Sequence, residues 1–368
     1  MSIFFYISGH GFGHASRDIE VVNALLDKRP RVPVVIRTAA KRWLFDLTLR
    51  HPVQFESADT DTGIVQIDSL HLDAPASIRR ATSFYRDLCR RAEAEAERLR
   101  AGGARLVVAD SPPLAFTAAA AAGVPSIAFG NFTWDWVYAG YPELLDEAPA
   151  LVETLRRAYA HASFAIRLPM HGGFETIPVV RDVPFVARRS QRPPEEVRNA
   201  LGLPVGGRVA LVSFGGHGLE GLELDRIDAR TWTIVTTGQV GGRGTSPNIV
   251  DLDERRLYDD GLRYEDLVAT ADVVVTKPGY GIIAECLAND SALLYTSRGR
   301  FVEYEVLVEA IQSFLRCRFI DQQDLYGGRW LAHLDALVQA PPPLERPAAN
   351  GAEVAADLIL DAYDRLHS

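Results

Sequence analysis

The chain has 368 residues, 47% hydrophobic and 24% charged, with a formal net charge of −9 and a pI of about 5.5. That acidic balance argues against a nucleic-acid grip, which needs a basic face, and no uninterrupted apolar run reaches the ~18 residues needed to span a bilayer. Cys89, Cys286 and Cys317 are too few and too scattered for a disulfide framework or a Cys-x-x-Cys site, and no basic leader precedes the first apolar run, so neither a signal peptide nor an oxidising compartment is expected and a cytoplasmic location is.

Residues 3–8 are an apolar run that predicts a buried strand. It ends in Gly9-His10-Gly11-Phe12-Gly13-His14, a glycine loop that leads into a helix start. Helices are expected over 18–27, 78–99 and 114–122, and strands over 32–36, 105–108 and 126–129. The Glu- and Arg-rich stretch 94–100 reads as a solvated helix face. This alternation predicts a parallel, doubly wound sheet. Residues 185–206 turn polar and proline-bearing, with a short helix over 195–201, and mark a linker. The opening pattern then recurs. A strand over 208–213 runs into Phe214-Gly215-Gly216-His217-Gly218, and strands over 232–236, 272–276 and 291–295 follow. After the break at Pro341-Pro342-Pro343, residues 352–366 have helical apolar spacing. The expected organisation is an α/β protein with two Rossmann-like domains, 1–185 and 186–345, and a terminal helix in 346–368.

Four constellations carry chemistry. His14 stands where the first loop becomes a helix, a position that favours a neutral imidazole and hence a general base; His10 is a second candidate, and either histidine would otherwise only brace the loop. Asp110, at the end of the strand over 105–108, would orient His14 or cap the next helix. Arg17 would pair with an acid in the site or sit on the surface. In the second half, Gly215 and Gly216 offer backbone amides for an anion nest or a plain tight turn. Lys277, Gly279, Tyr280 and Gly281 lie where a buried strand passes into a helix, a place for phosphate on the helix N-terminus. Glu285, one turn further, would accept two ribose hydroxyls or play a structural part. Arg298-Gly299-Arg300 adds positive charge, with Arg300 assigned to the donor. Of Glu303 and Glu305, spacing allows only one to face the site. The fourth constellation, Asn131-Phe132-Thr133-Trp134-Asp135-Trp136, follows a first-half strand, where α/β sheets bind ligands; Trp134 would stack on a sugar and Asp135 would bind hydroxyls. Asp61, Asp68 and Asp73 flank a strand-like stretch and read as solvent-exposed, with reach to an acceptor as the alternative. No His-Glu-x-x-His, P-loop lysine or metal-ligand cluster is found, so neither a metal nor a tightly held cofactor is expected.

Two such halves, a histidine loop in the first and a Lys-Pro-Gly…Glu loop–helix in the second, resemble the GT-B glycosyltransferases. The second-half pattern looks like the donor site of the N-acetylglucosaminyltransferase that makes lipid II. A closer resemblance, over nearly the whole chain, is to the glycosyltransferase-like N-terminal region of plant L-arabinokinase and its stand-alone bacterial relatives. It is carried by Gly9–His14 and Ala15, by Asn131–Asp135, by Ile166-Arg167-Leu168-Pro169, by Asp182-Val183-Pro184, by Thr276–Gly281, by Gly328-Arg329-Trp330 and by residues 350–356. The resemblance implies two domains facing across a cleft, with the terminal helix crossing back to the first. It implies a nucleotide-sugar donor held in the second half by Gly215, Gly216, Lys277, Gly279–Gly281, Glu285 and Arg300, with the base near 250–252. The acceptor would lie in the first half, against Gly11, Phe12, Gly13, Asn131, Trp134 and Asp135. Sugar-kinase activity is not implied, since it belongs to a separate domain outside the matched region.

The expected function is therefore transfer of a sugar from a nucleotide-sugar co-substrate, UDP-linked by analogy, to a hydroxyl acceptor. His14 would act as base with inversion and without a metal, and oligomeric state stays open. Two rivals share the architecture: a nucleotide-sugar 2-epimerase, which needs no acceptor, and a non-catalytic nucleotide-sugar-binding protein.

Overall fold

In a computed structural model, which describes residues 1–216, 218–228, 231–237 and 246–366, the apolar opening run forms β1 (Ser2–Ile7), every residue of it buried. A strand buried on both faces belongs in a parallel sheet with helices on each side. Accordingly β1 is an interior strand, third in order, of a seven-stranded sheet with β2 (Val34–Thr38), β3 (Gln54–Ser57), β4 (Ala104–Asp110), β5 (Ser126–Phe132), β6 (Phe164–Gly172) and β7 (Val180–Asp182). The order is β3-β2-β1-β4-β5-β6-β7 and every pair is parallel. The order reverses between β1 and β4, the switch point at which such sheets open a crevice at their strand carboxyl ends. Register sets Ile7 beside Asp110, and Asp110 beside Phe129, at that point.

A second sheet repeats the plan with β8 (Arg208–Val212), β9 (Trp232–Thr237), β10 (Ile249–Leu252), β11 (Val273–Thr276), β12 (Ala292–Tyr295) and β13 (Cys317–Phe319), ordered β10-β9-β8-β11-β12-β13 and again all parallel. Its switch point lies between β8 and β11.

The chain divides into two units. The first contains Met1–Val65, Asp73–Val186 and Ala348–Ser368; the second contains Gln66–Leu72 and Ala187–Pro347. The first unit thus includes the last helix, Gly351–Arg365, whose Ala352, Ala355, Ala356, Ile359, Leu360 and Tyr363 join the core under the Phe12–Lys28 helix. Lys28–Asp357 and Arg29–Asp364 pairs tie the two helices at their surface. The second unit takes in Gln66–Leu72, a hairpin that the expected boundary of 1–185 assigned to the first domain.

Three features differ from the sequence expectation. The first helix starts at Phe12 rather than residue 18. The helix expected over 78–99 is two helices, Ala74–Arg86 and Leu88–Ala101, broken at Asp87. The strands β3, β7, β10 and β13 were not foreseen because they are short edge or near-edge strands with little burial; β6 was not foreseen because Arg167, Pro169 and His171 interrupt its apolar run. Among the described residues no helix is long and apolar enough to cross a membrane.

Candidate functional site

The glycine loop of the first unit turns β1 into the Phe12–Lys28 helix. Gly11 is that helix's N-cap, with φ 76° and ψ −179°, a region of backbone space that is essentially glycine-only. His14, on the first turn, and Arg17 and Asp18, on the next, are thereby aimed at the end of β4. There the Asp110 carboxylate is wholly buried. His14 Nδ1 lies 2.9 Å from Asp110 Oδ1. Arg17 donates from Nε to Oδ2 at 3.1 Å and from Nη2 to Oδ1 at 2.7 Å. Gly130 on β5 makes the room: a Cβ there would stand 3.0 Å from Asp110 Oδ1, and its φ of 141° disfavours other residues as well.

Burial alone would raise the Asp110 carboxyl, but the Arg17 and His14 charges, with hydrogen bonds from His14 and Asp18, outweigh it and hold it well below the usual carboxylate range. Asp18 moves the other way. It is fully buried beside Asp110, and neither of its oxygens meets a donor. Desolvation, then the Asp110 charge, raises it well above its ordinary value. Asp18 is thus held protonated beside an ionised Asp110.

Nδ1 of His14 also lies 3.1 Å from Arg17 Nη2. A single ring nitrogen cannot accept from Arg17 while donating to Asp110. The charge-assisted bond to the buried aspartate is the stronger, and Arg17 already spends its donors on Asp110 and Asn131. The ring N–H that faces Asp110 is therefore the one on Nδ1, and Nε2 is the ring nitrogen that neither Asp110 nor Arg17 engages.

The surrounding aromatic cluster is tighter than expected. Trp134 is 1% exposed. Its ring packs against His10 and Phe132 and stacks on Tyr138, and its Nε1–H donates to Asp61 Oδ2 at 2.8 Å. It has no open face for a sugar. Asn131 is likewise engaged, accepting from Arg17 and donating to Pro169 O at 2.6 Å. Asp135 is buried and faces Arg156 on the Leu151–Tyr159 helix at 3.5 Å. Burial raises its carboxyl despite Arg156. His10, Gly11 and Phe12 are half-buried and Gly13 is exposed, so the glycine loop itself is the accessible wall. Asp61, read from sequence as solvent-exposed, is half-buried, and burial raises its carboxyl against the Ser8 and Trp134 hydrogen bonds. Asp68 is buried too, and Asp73 is the N-cap of the Ala74–Arg86 helix.

In the second unit, Gly215, with φ 75°, and Gly216 are exposed at the end of β8, and Gly218 N–H closes a turn onto Gly215 O. His217 of that motif lies outside the described residues. At the end of β11, Lys277 precedes the Tyr280–Asn289 helix, whose N-cap Gly279 supplies no side-chain cap. The Lys277 ammonium has no hydrogen-bond or ion-pair partner among the described residues. Burial, then the neighbouring Arg298 charge, pulls its pKa down to about 7 against the opposing pull of Glu303. Arg298, not the exposed Arg300, is the buried cation of its loop. It lies over the Phe301 ring and pairs with Glu303 at 3.4 Å, while Glu305 is exposed, so one of the two glutamates faces inward as their spacing required. Glu285 is 5% exposed and ion-paired, its Oε1 accepting from Arg188 Nε at 2.7 Å. Burial opposes the Arg188 charge, but Glu285 and Glu265 more than restore it and raise its pKa. What the structure shows of Glu285 is thus a salt bridge rather than an open ribose acceptor. Residues 250–252 form β10 and pair with β9. Among the described residues no three His, Cys, Asp or Glu side chains gather as a metal site.

The sequence reading missed Asp18 and, of the pair it named, chose Arg300 over Arg298. Asp18 is acidic at a position that the helical period places on the buried face, the one signal by which it was detectable; Arg298 and Arg300 are indistinguishable without the loop's course.

Two parallel sheets with interleaved helices define a GT-B fold. The crystal structure of CalG4, the calicheamicin glycosyltransferase, matches with a TM-score of 0.56 and 16% identity over 100% of this chain and 95% of that one. UGT89C1 of Arabidopsis thaliana, complexed with UDP, matches with a TM-score of 0.59 and 13% identity over 99% of this chain and 95% of that one. VinC, in complex with dTDP, gives 0.56 and 16% over 100% and 96%. In sequence, the chain is 32% identical over 362 residues to L-arabinokinase of Arabidopsis thaliana, an alignment covering 96% of this chain and 34% of that protein. The chain thus spans about a third of the length of the curated relative it matches. No protein-family model matches the chain.

Proposed function

We propose that this chain is a glycosyltransferase that moves a sugar from a nucleoside-diphosphate donor to a hydroxyl acceptor. The observation that carries the reading is the His14–Asp110 pair, 2.9 Å apart at the switch point of the first sheet, within a GT-B fold. With Nδ1–H committed to a buried carboxylate, Nε2 is a base presented beside an accessible glycine loop. In the proposed step Nε2 takes the acceptor's hydroxyl proton as the oxygen bonds to the anomeric carbon. The bond from that carbon to the diphosphate oxygen breaks, and the nucleoside diphosphate leaves with the electron pair. A single displacement of this kind inverts the anomeric centre. Asp110 holds the imidazole's orientation and stabilises the imidazolium.

The departing charge needs a receiver, and the second unit supports one. The amides at the start of the Tyr280–Asn289 helix, which no side chain caps, the Gly215–Gly216 turn, and Lys277, which has no hydrogen-bond or ion-pair partner among the described residues, would serve as a preorganised anion site, which favours a metal-independent reaction. UDP and dTDP occupy two of the neighbouring structures, and UDP is the donor nucleotide proposed here. Arg300 and Glu285 are retained only as outer donor contacts.

Nucleotide-sugar donors are first found by thermal shift, and His14→Ala is then assayed for nucleotide release and product. Loss of a general base predicts a ~10²–10⁴-fold fall in kcat with donor affinity unchanged. Unaltered turnover in a folded His14→Ala chain refutes the role. An isomerised nucleotide sugar formed without any acceptor assigns the site to epimerisation instead.

A further inference from the structure

The hairpin Gln66–Leu72 is encoded between β3 and the Ala74–Arg86 helix, yet it belongs to the second unit. It is built to hold one shape. Gln66 and Leu72 form an antiparallel bridge. The Asp68 carboxylate closes the turn, accepting from Leu70 N–H at 2.7 Å and His71 N–H at 2.8 Å. At its tip, Leu70 is 0% exposed and is part of the core with Phe214, Leu219 and Leu222.

Ser69 makes three connections with the second unit's loops. Its N–H donates to Gly218 O at 3.3 Å and its Oγ–H donates to Phe214 O, so it holds both ends of the Phe214–Gly218 turn. Its own carbonyl accepts from Arg298 Nε at 3.2 Å. A hairpin remote in sequence is thus bonded to the two loops that flank Lys277. Charge explains why this matters. Lys277 and Arg298 repel each other and Glu303 attracts both, so an anion bound beside them would favour the charged form of Lys277.

We propose that Ser69 and Leu70 are positioning residues for the diphosphate of the donor, acting through the Phe214–Gly218 turn and the Arg298 guanidinium. This rests on the donor-site reading above. The expected energetic signature is local: loss of Ser69 Oγ releases the turn carbonyl of Phe214, and loss of Leu70 frees the hairpin that anchors Arg298.

The test is calorimetric titration of the full chain with inorganic pyrophosphate and with UDP, comparing wild type, Ser69→Ala, Leu70→Ala, Arg298→Ala and Ser69→Ala/Arg298→Ala, with thermal melts as the fold control. Ser69→Ala and Leu70→Ala are expected to weaken both ligands about tenfold, the size of one well-placed polar contact. Ser69→Ala is expected to keep its effect within about twofold once Arg298 is gone, because it removes only the Oγ bond to Phe214 O and leaves the backbone carbonyl that holds Arg298. A purely structural role would lower the melting temperature and leave both affinities unchanged. Should Leu70→Ala fail to fold, Ser69→Ala alone decides. Wild-type affinity in folded Ser69→Ala overturns the inference and leaves the donor site standing. A wild-type chain that binds neither pyrophosphate nor UDP overturns the donor site and the inference with it.

Discussion

Asp18 and Asp110 are chemically identical, both wholly buried, and carry opposite signs in the energetics of the fold. Asp110 is ionised by Arg17 and His14 and sits below its ordinary pKa. It contributes stability that is present above its unfolded value, near 3.9, and is lost only as pH falls through the lower native value. Asp18 is held protonated by burial and by Asp110. As pH rises past the unfolded value, the unfolded chain releases this proton while the native state keeps it, so Asp18 subtracts stability increasingly with pH. Asp18→Asn, neutral and still able to donate to Asp110, is expected to stabilise the protein, by more at pH 7.5 than at pH 4.5 in urea unfolding. Asp110→Asn leaves Arg17 buried without its counter-ion and is expected to cost about 3–5 kcal/mol at neutral pH. Equal effects at the two pH values for Asp18→Asn would mean that its proton is not retained on folding. His14 and Asp110 were legible in the sequence because glycines and a strand end frame them. The protonated acid behind them was not, since whether an acid one helix position from Arg17 faces water or the buried interior depends on how the helix packs. The same limit applies to Trp134 and Asp135, whose residue types suit a sugar site but whose partners, Tyr138, Asp61 and Arg156, come from elsewhere in the unit.

Elements were legible in proportion to their burial. The central strands β1, β4, β8 and β11 are apolar almost throughout and were found near their observed limits, whereas β3, β7, β10 and β13 are edge or near-edge strands of three or four residues whose only specification is the neighbour they pair with. The Gln66–Leu72 hairpin shows a second kind of illegibility: its sequence position assigns it to one unit, and only Leu70's place in the core of the other reveals its role. The opening glycine loop is the converse case, in which a short motif dictates geometry. Nothing lies within 4 Å of where a Gly11 Cβ would point, so the residue is required by backbone conformation alone. Gly11→Ala is therefore expected to cost about 1–3 kcal/mol without any clash, and to reduce turnover by displacing His14 from Asp110. Chemical denaturation and a His14 ring-nitrogen NMR signal check both parts. A variant with wild-type stability would show that the N-cap relaxes into ordinary backbone space.

At the scale of the molecule, each unit has its own sheet and core, and the chain's ends both belong to the first. The two-domain plan was legible because the strand–glycine loop–helix pattern occurs twice, and the return of the last helix to the first unit came with the family resemblance; the allotment of the hairpin was not legible, because such returns of the chain depend on which exposed apolar stripe needs a cover. The Gly351–Arg365 helix offers such a stripe to the Phe12–Lys28 helix, and Ile359 lies within it at 0% exposure. Removing buried methylenes costs transfer free energy and leaves a cavity, so Ile359→Ala is expected to lower the unfolding free energy by about 2–5 kcal/mol. Its core supports the helix that carries His14 and is distinct from the core formed by Leu70, Val212 and Val275 in the second unit. The affinity for UDP is therefore expected to stay within about twofold of wild type at a temperature where both chains are folded, and saturating UDP is expected to raise the melting point of both, by about 2.7 kcal/mol of binding free energy at a hundred times its dissociation constant. Denaturant titration and calorimetry measure the two quantities separately. A parallel loss of UDP affinity in Ile359→Ala would place the nucleotide in the first unit and reverse the assignment of donor and acceptor.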